Sequence, residues 1–400
     1  MGRRSGHDSP VLSIAEAQEA IRSAAVVLPA EEVALAAAHG RVLAEDVVAE
    51  HDVPPFASSA MDGYAVRGPG PDFAVVGESR AGTPHPGAIG EGESVVISTG
   101  AAVPAGAEAI VPIERTKPAI DAGFVSEGEI RAGDHIRGAG EDLQAGAIVL
   151  ERGTRMGAAE LGVAAGAGRA TVLVAQTPRV AIVATGDELV DPGEPLHPGQ
   201  IHDSNALALA ALARENGADV VTKLRARDDR EATTNALQQA LDQANLVIVS
   251  GGVSVGPHDH VKPALQALGV EERFWRVALR PGKPTWFGAK GETLVIGLPG
   301  NPVSALVTFT LFARTAITAL QGDTHRPRPL RLPLAAAVVR HPDRDEATRV
   351  LIDQDGRIET TGPQGSHVLS SMIKADALAI IPRGDGELPA GSVVDVLPLR

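Results

Sequence analysis

The 400-residue sequence contains no cysteine. Disulfides, thiolate nucleophiles, cysteine-ligated iron–sulfur clusters and zinc–cysteine sites are therefore excluded, and the absence suits a reducing, cytoplasmic setting. Aromatic residues are nearly as scarce, with seven Phe, two Trp and one Tyr. Aliphatic side chains must fill the interior, and stacking platforms for single-stranded nucleic acid are few. Positive charge is in deficit too: 36 Lys and Arg face 50 Asp and Glu, a net charge of −14. That balance argues against a binder of phosphate backbones, so nucleic acid is not an expected partner. Met1 to Pro10 is basic with no apolar stretch behind it, which does not read as a secretory signal. The longest apolar helix candidate, Pro302 to Leu320, is interrupted by Arg314 and rich in Thr, so a membrane span is not expected.

The length, at ~150 residues per domain, sets a prior of two to four domains, and the local texture changes four times. Ser13-Ile14-Ala15-Glu16 has capping-box form and predicts a helix to about Val27. An Ala-rich segment, Ala30 to His39, predicts a second helix closed by Gly40. Val53 to Gly146 holds short β-branched runs (Phe73–Val76, Ser94–Ser98, Ala109–Ile113) between Gly, Pro and Asp, an all-β pattern. Met156 to Gly168 is again Ala/Gly-rich and helical in composition. From Arg179 onward strands (Val180–Ala184, Asp219–Thr222, Leu246–Val249, Leu294–Gly297) alternate with helices (Ala206–Glu215, Arg230–Gln243 and one beginning near Pro302). Apolar runs without period-two alternation indicate a mostly parallel sheet covered on both faces. Pro327 to Arg400 returns to short strand-like runs.

The expected fold class is multi-domain α/β plus β, with a central doubly wound, mostly parallel α/β domain. Residues 11–50 and 147–178 form a helical linker or dimerisation domain, 51–146 an inserted β domain, 179–326 the α/β domain, and 327–400 a small C-terminal β-barrel.

Sheets of this kind bind ligands beyond the carboxyl ends of their strands. Three strands there run into Gly-containing turns: Thr185-Gly186-Asp187-Glu188, Ser250-Gly251-Gly252-Val253-Ser254-Val255-Gly256, and Leu298-Pro299-Gly300-Asn301-Pro302. Glycine lets backbone amides approach an anion, and a following helix start adds partial positive charge, so the rim reads as a phosphate cradle. Taken singly, each turn is just as well only a turn. Asn301 before Pro302 fits a helix cap. The acids Asp187, Glu188, Asp228, Asp229 and Asp259 could share a Mg²⁺ with a phosphate, or be solvated loop residues and caps. Arg276 and the stiff segment Arg280-Pro281-Gly282-Lys283-Pro284 could clamp an oxyanion, with solvated surface charge as the alternative. His258 and His260 flank Asp259 without a third ligand and read as loop histidines.

In combination, Ser59-Ala60-Met61-Asp62-Gly63-Tyr64-Ala65, Ser98-Thr99-Gly100-Ala101, Thr185-Gly186-Asp187-Glu188-Leu189, the 250–256 stretch, Pro281-Gly282-Lys283-Pro284 and Leu298-Pro299-Gly300-Asn301-Pro302-Val303-Ser304 resemble the molybdopterin molybdenumtransferase family, which is related to the gephyrin C-terminal domain. The resemblance runs from Ser13 to the C-terminus. It implies insertion of molybdate into adenylylated molybdopterin with release of AMP, Mg²⁺ as the assisting ion, and a homodimer whose cleft combines two subunits. It also implies a cytoplasmic enzyme, with the adenylyltransferase and downstream molybdoenzyme maturation proteins as further candidate partners. Carried over residue by residue, Asp62, Thr99, Glu188, Asp228 and Asp259 fall on activity positions, with Glu188, Asp228 and Asp259 as metal ligands. Gly251, Gly252, Ser254, Arg276, Arg280, Lys283, Pro284, Ser304, Arg349 and Ser366 fall on ligand-binding positions. Arg276 and Arg280 stand where the family often has Lys, and Asp376 where it has Asn. Related activities, molybdopterin adenylylation, nucleotide hydrolysis or a non-catalytic scaffold, remain open on the sequence.

Overall fold

The computed structural model describes residues 11–119, 123–253, 259–325 and 329–399. Its first helix is set by local chemistry. The Ser13 hydroxyl accepts from the Glu16 amide at 3.2 Å while the Glu16 carboxylate accepts from the Ser13 amide at 2.8 Å, and the helix Ile14–Ala24 follows with Ala17 and Ile21 buried.

The next segment corrects the sequence reading. Ala30 to His39 is not helical: Ala30–Ala34 is a strand and Leu35–Ala37 a single 3₁₀ turn. The strand pairs antiparallel with Thr171–Ala175, Ala30 opposite Ala175 and Ala34 opposite Thr171. Alanine's helix preference is only a few tenths of a kcal/mol per residue. It yields to a ladder that also places Val33 against buried Val172 and Val174. Gly40, at φ +75°, still closes the turn, donating to the Met156 carbonyl at 2.8 Å.

The central sheet has six strands in the order Asp219–Ala226, Arg179–Thr185, Leu246–Ser250, Thr293–Leu298, Trp286–Lys290, Glu271–Trp275. The first four are mutually parallel; Trp286–Lys290 runs against both of its neighbours, so Glu271–Trp275 again points the same way as the first four. Alternate residues of one strand feed two separate cores, which is why the runs are apolar throughout. Val180, Ile182, Ile248 and Ile296 pack with helices Ile14–Ala24, Ser204–Glu215 and Pro302–Leu320, while Ala181, Val183, Val249 and Val295 pack with Arg230–Gln243 and Val261–Ala267. Pro302–Leu320 is long and apolar enough to cross a membrane by length and composition, but it is 78% buried within the protein and acts as a core helix.

A second six-stranded sheet lies within the inserted β region, where Gly63–Val66 sits between Ala109–Pro112 and Glu93–Ile97. The C-terminal region builds a third around Asp345–Ile352 and Ala377–Ile381. Its edge strand, Leu279–Arg280, comes from the α/β region and pairs parallel with Asp345 and Glu346. This shared strand brings the C-terminal region up to the rim of the central sheet. Arg155 fastens the helical region from another side, donating to Gly40 O, Gln321 Oε1 and Asp323 Oδ2 at 2.7, 2.6 and 2.8 Å.

Candidate active site

Because four neighbouring strands run parallel, the turns at residues 185–188, 226–229, 250–253 and 298–301 meet along one edge. The contact is close enough to require glycine. A Cβ on Gly251, at φ +92°, would sit 2.9 Å from Thr185 Oγ1, and one on Gly252 would meet Val261 Cγ2 at 2.5 Å. The Gly251 amide, however, donates to Leu298 O at 3.1 Å. Among the described residues, only the Gly252 amide of this pair lacks an internal acceptor. Ser254 and His258 lie outside the described residues.

Asn205, which the sequence reading did not single out, ties two of these turns together. Its Nδ2 donates to Ser250 Oγ at 3.0 Å and to Gly300 O at 2.7 Å, leaving Oδ1 buried and without a partner. The available signal was its place in Asp203-Ser204-Asn205, where Asp203 caps the helix Ser204–Glu215.

The acids stand on the open side. Asp187 and Asp228 exchange hydrogen bonds across neighbouring strand ends, Asp187 N to Asp228 Oδ2 at 3.4 Å and Asp228 N to Asp187 Oδ1 at 3.3 Å. Exposed Glu188 folds back over Gly186, where a Cβ would lie 2.5 Å from Glu188 Oε2. Asp229 is a helix cap, accepting from Ala232 N at 2.8 Å. Among the described residues no three carboxylates or imidazoles come together closely enough to enclose a metal ion, so Glu188, Asp228 and Asp259 form no ready-made cage.

A cationic corner faces Asp259. Lys262 Nζ lies 2.9 Å and Arg276 Cζ 3.9 Å from the centroid of the Trp275 ring. Burial pushes the Lys262 amine down to about 8, Arg276 adds to the depression, and Glu272 and Asp259 oppose it. Lys262 escaped the sequence reading although it stands three residues after Asp259. Arg276 holds a left-handed backbone, φ +90°, which is strained for a residue with a Cβ and is a mark of functional sites. Its amide donates to Thr285 O at 3.0 Å and its carbonyl accepts from Leu12 N at 3.3 Å.

The remaining side is built jointly by the α/β region and the C-terminal region. Arg280 pairs through Nη1 with Glu346 at 2.8 Å; Lys283 is exposed and Pro284 half-buried. Ser304 is buried in the first turn of Pro302–Thr308. Asn301 does not cap this helix with its side chain as expected; its Nδ2 donates to Ser366 Oγ at 3.1 Å, while Val303 N donates to Ser366 O at 3.0 Å. Next to this loop lies Arg349, 0% exposed. Its Nη2 donates to Pro363 O and Gly365 O at 3.2 and 3.3 Å, but Nε and Nη1 are buried with no acceptor. Burial holds this guanidinium below its ordinary range. Asp376 accepts from Ile352 N at 2.9 Å, a bond that Asn could make equally, so that exchange leaves the local bonding intact.

Asp62 and Thr99 meet each other, the Thr99 amide donating to Asp62 Oδ1 at 2.7 Å. Among the described residues their hydrogen bonds stay inside the inserted β region. A cavity of about 640 Å³ lies elsewhere, between Ile14–Ala24, the far half of Pro302–Leu320 and Leu397.

Comparison with known proteins covers nearly the whole chain. Residues 12–168 match the family described as MoeA N-terminal region (domain I and II), 181–319 the probable molybdopterin binding domain, and 331–399 the MoeA C-terminal region (domain IV). Molybdopterin molybdenumtransferase 2 of Mycobacterium tuberculosis is 38% identical, over 92% of this chain and 94% of its own. Molybdopterin molybdenumtransferase of Haemophilus influenzae is 35% identical, over 91% and 92%. A crystal structure of the molybdopterin biosynthesis MoeA protein from Pyrococcus horikoshii matches with a TM-score of 0.84 at 26% identity, covering 97% of this chain and 100% of that one.

Proposed function

The chain belongs to the molybdopterin molybdenumtransferase family and is a transferase with that family's multi-domain arrangement of mixed sheets and helices, and we propose that it inserts molybdate into adenylylated molybdopterin at the strand-end crevice, releasing AMP and molybdenum cofactor. The carrying observation is Arg349, whose Nε and Nη1 are buried without an acceptor beside the loop bearing Ser366. A buried cation without a counterion is costly. A tetrahedral dianion relieves it, accepting from the guanidinium and from nearby hydroxyl and ammonium donors. Ser366, Ser304 and Lys283 are the donors assigned to molybdate. Sulfur ligation comes from the dithiolene of the substrate, which is why a protein without cysteine can carry out the step.

The Gly252 amide, Lys262 and Arg276 are assigned to the phosphates of the adenylylated pterin, whose placement near molybdate supplies the rate advantage of proximity. The acid set fits Mg²⁺, a hard cation that uses one or two carboxylates plus phosphate oxygens and keeps its waters, so no cage is required. Glu188, Asp228 and Asp259 would hold it, and when bound it supplies Lewis-acid stabilisation of phosphate charge. Asp62 and Thr99, which among the described residues form no hydrogen bond to the rim, are assigned to the partner subunit's site in a homodimer. The same reading keeps the four-domain division proposed from the sequence, the cytoplasmic setting, and the adenylyltransferase and molybdoenzyme maturation proteins as neighbours in the route.

The test is incubation of purified protein with adenylylated molybdopterin, Mg²⁺ and molybdate, followed by assay of AMP and of activity restored to a molybdenum-free apo-enzyme. Molybdate-dependent AMP release is expected, and Asp259→Ala should leave the adenylylated substrate intact. AMP release that ignores molybdate would replace this reading with nucleotide hydrolysis.

A further inference from the structure

We propose that Gln364 is a positioning residue for the oxyanion site, fixing Arg349 and the Ser366 loop as one unit by hydrogen bonds to the Arg349 main chain. This rests on the assignment of Arg349 and Ser366 to molybdate. The argument begins with a gap in the sheet. The strand Asp345–Ile352 is paired at Arg349 with Leu378 on one edge, but on the other its partner Ile358–Thr360 reaches only as far as Val350. Past that end the Arg349 amide has no main-chain acceptor on this edge, while its carbonyl still meets the next residue of the partner segment. Gln364 fills the place of the missing strand: Oε1 accepts from Arg349 N at 2.9 Å and Nε2 donates to Arg349 O at 3.1 Å. A carboxamide carries the same donor and acceptor as a peptide group, so it can close both bonds at once. Thr361 N also donates to Arg349 O, at 3.0 Å.

The consequence is a fold-back. With its side chain clamped to the strand, the Gln364 backbone brings Pro363 O and Gly365 O onto Arg349 Nη2 and sets Ser366 against Asn301 and Val303. The other guanidinium edge is left without an acceptor. Glu lacks the amide donor and would set an acceptor against the Arg349 carbonyl; Met keeps the length and loses both bonds to Arg349, together with the longer Nε2 contacts to Thr361 Oγ1 and Gly362 O at 3.4 and 3.3 Å.

The experiment compares wild type, Gln364→Met, Gln364→Glu and Arg349→Met in initial-rate assays over molybdate and over adenylylated molybdopterin, with thermal midpoints recorded in parallel. For Gln364→Met the molybdate KM should rise about tenfold, the effect of losing the geometry of a charge-assisted contact, with kcat and the KM for the adenylylated substrate nearly unchanged. Gln364→Glu should be worse, because it sets an anionic oxygen against the Arg349 carbonyl where the amide donated. A lowered midpoint with an unchanged molybdate KM would show loop packing only and overturn the proposal. An unchanged molybdate KM in Arg349→Met would instead overturn the assignment beneath it. If Gln364→Met does not fold, Gln364→Asn, too short to reach both main-chain atoms, carries the same comparison.

Discussion

The two sides of the crevice are built on opposite physical terms. On the C-terminal side Arg349 is wholly buried, Ser304 nearly so, and Ser366 is held by Asn301 and Val303. On the other side Glu188 is exposed, and Asp228 is engaged with Asp187 rather than gathered into a metal cage. A dianion that must be desolvated gains most from donors fixed in advance, because their reorganisation is already complete. A hydrated Mg²⁺ arriving with a phosphate needs only accessible carboxylates. The contrast therefore matches the ligands assigned to each side.

The sharpest way to break this comparison is Arg349→Met. An ordinary large core substitution destabilises, but here a buried charge with two unsatisfied nitrogens gives way to an apolar side chain of similar length, at the loss of the Nη2 bonds to Pro363 O and Gly365 O. Stability should stay level or rise by up to ~3 kcal/mol, by analogy with buried ion groups replaced by apolar residues, while molybdate-dependent turnover is lost. A denaturation midpoint measured beside the assay checks both signs. Loss of stability together with retained turnover would make Arg349 a structural residue and leave the crevice without its oxyanion side.

The next effect concerns the inserted β region, whose Asp62–Thr99 pair stands apart from both sides within one chain. If each site joins Asp62 of one subunit to Arg349 of the other, inactive Asp62→Ala and inactive Arg349→Met proteins should complement. Unfolding and refolding them together should restore roughly a quarter of wild-type activity, since half the dimers are mixed and each mixed dimer has one intact site. No recovery from dimers shown to be mixed would place Asp62 outside the shared site.

The contrast between the two sides also marks what the sequence can reveal. The strands of the central sheet were legible because four or five consecutive apolar residues feed two cores, and the glycine turns because close approach excludes a Cβ. Ala30–Ala34 was not legible: its partner, Thr171–Ala175, lies some 140 residues away, and local composition favours helix. Asn205, Lys262 and Gln364 stayed hidden for a related reason. Their partners are main-chain atoms, the Ser250 hydroxyl and a ring face supplied by other elements, and a polar residue in a loop or on a helix carries no mark of that. Of the acids, Asp229 takes the cap reading that the sequence left open.

The smallest expected effect tests the cationic corner, where two influences on Lys262 oppose each other. Burial pushes its amine down to about 8, whereas a ring face 2.9 Å away favours the charged form. An unfolded lysine titrates near its ordinary ~10.4. If burial prevails, the unfolded chain binds more protons than the folded one between about 8 and that value, so stability rises with pH across the window. Below it both states are protonated and the penalty is constant. Wild type should therefore gain stability relative to Lys262→Met as pH climbs through this range and show a flat difference below it. The group is only partly buried, and solvent screening keeps the gain small. A flat difference throughout would mean that the indole offsets the burial, leaving Lys262 a permanent cation beside Asp259 and Arg276.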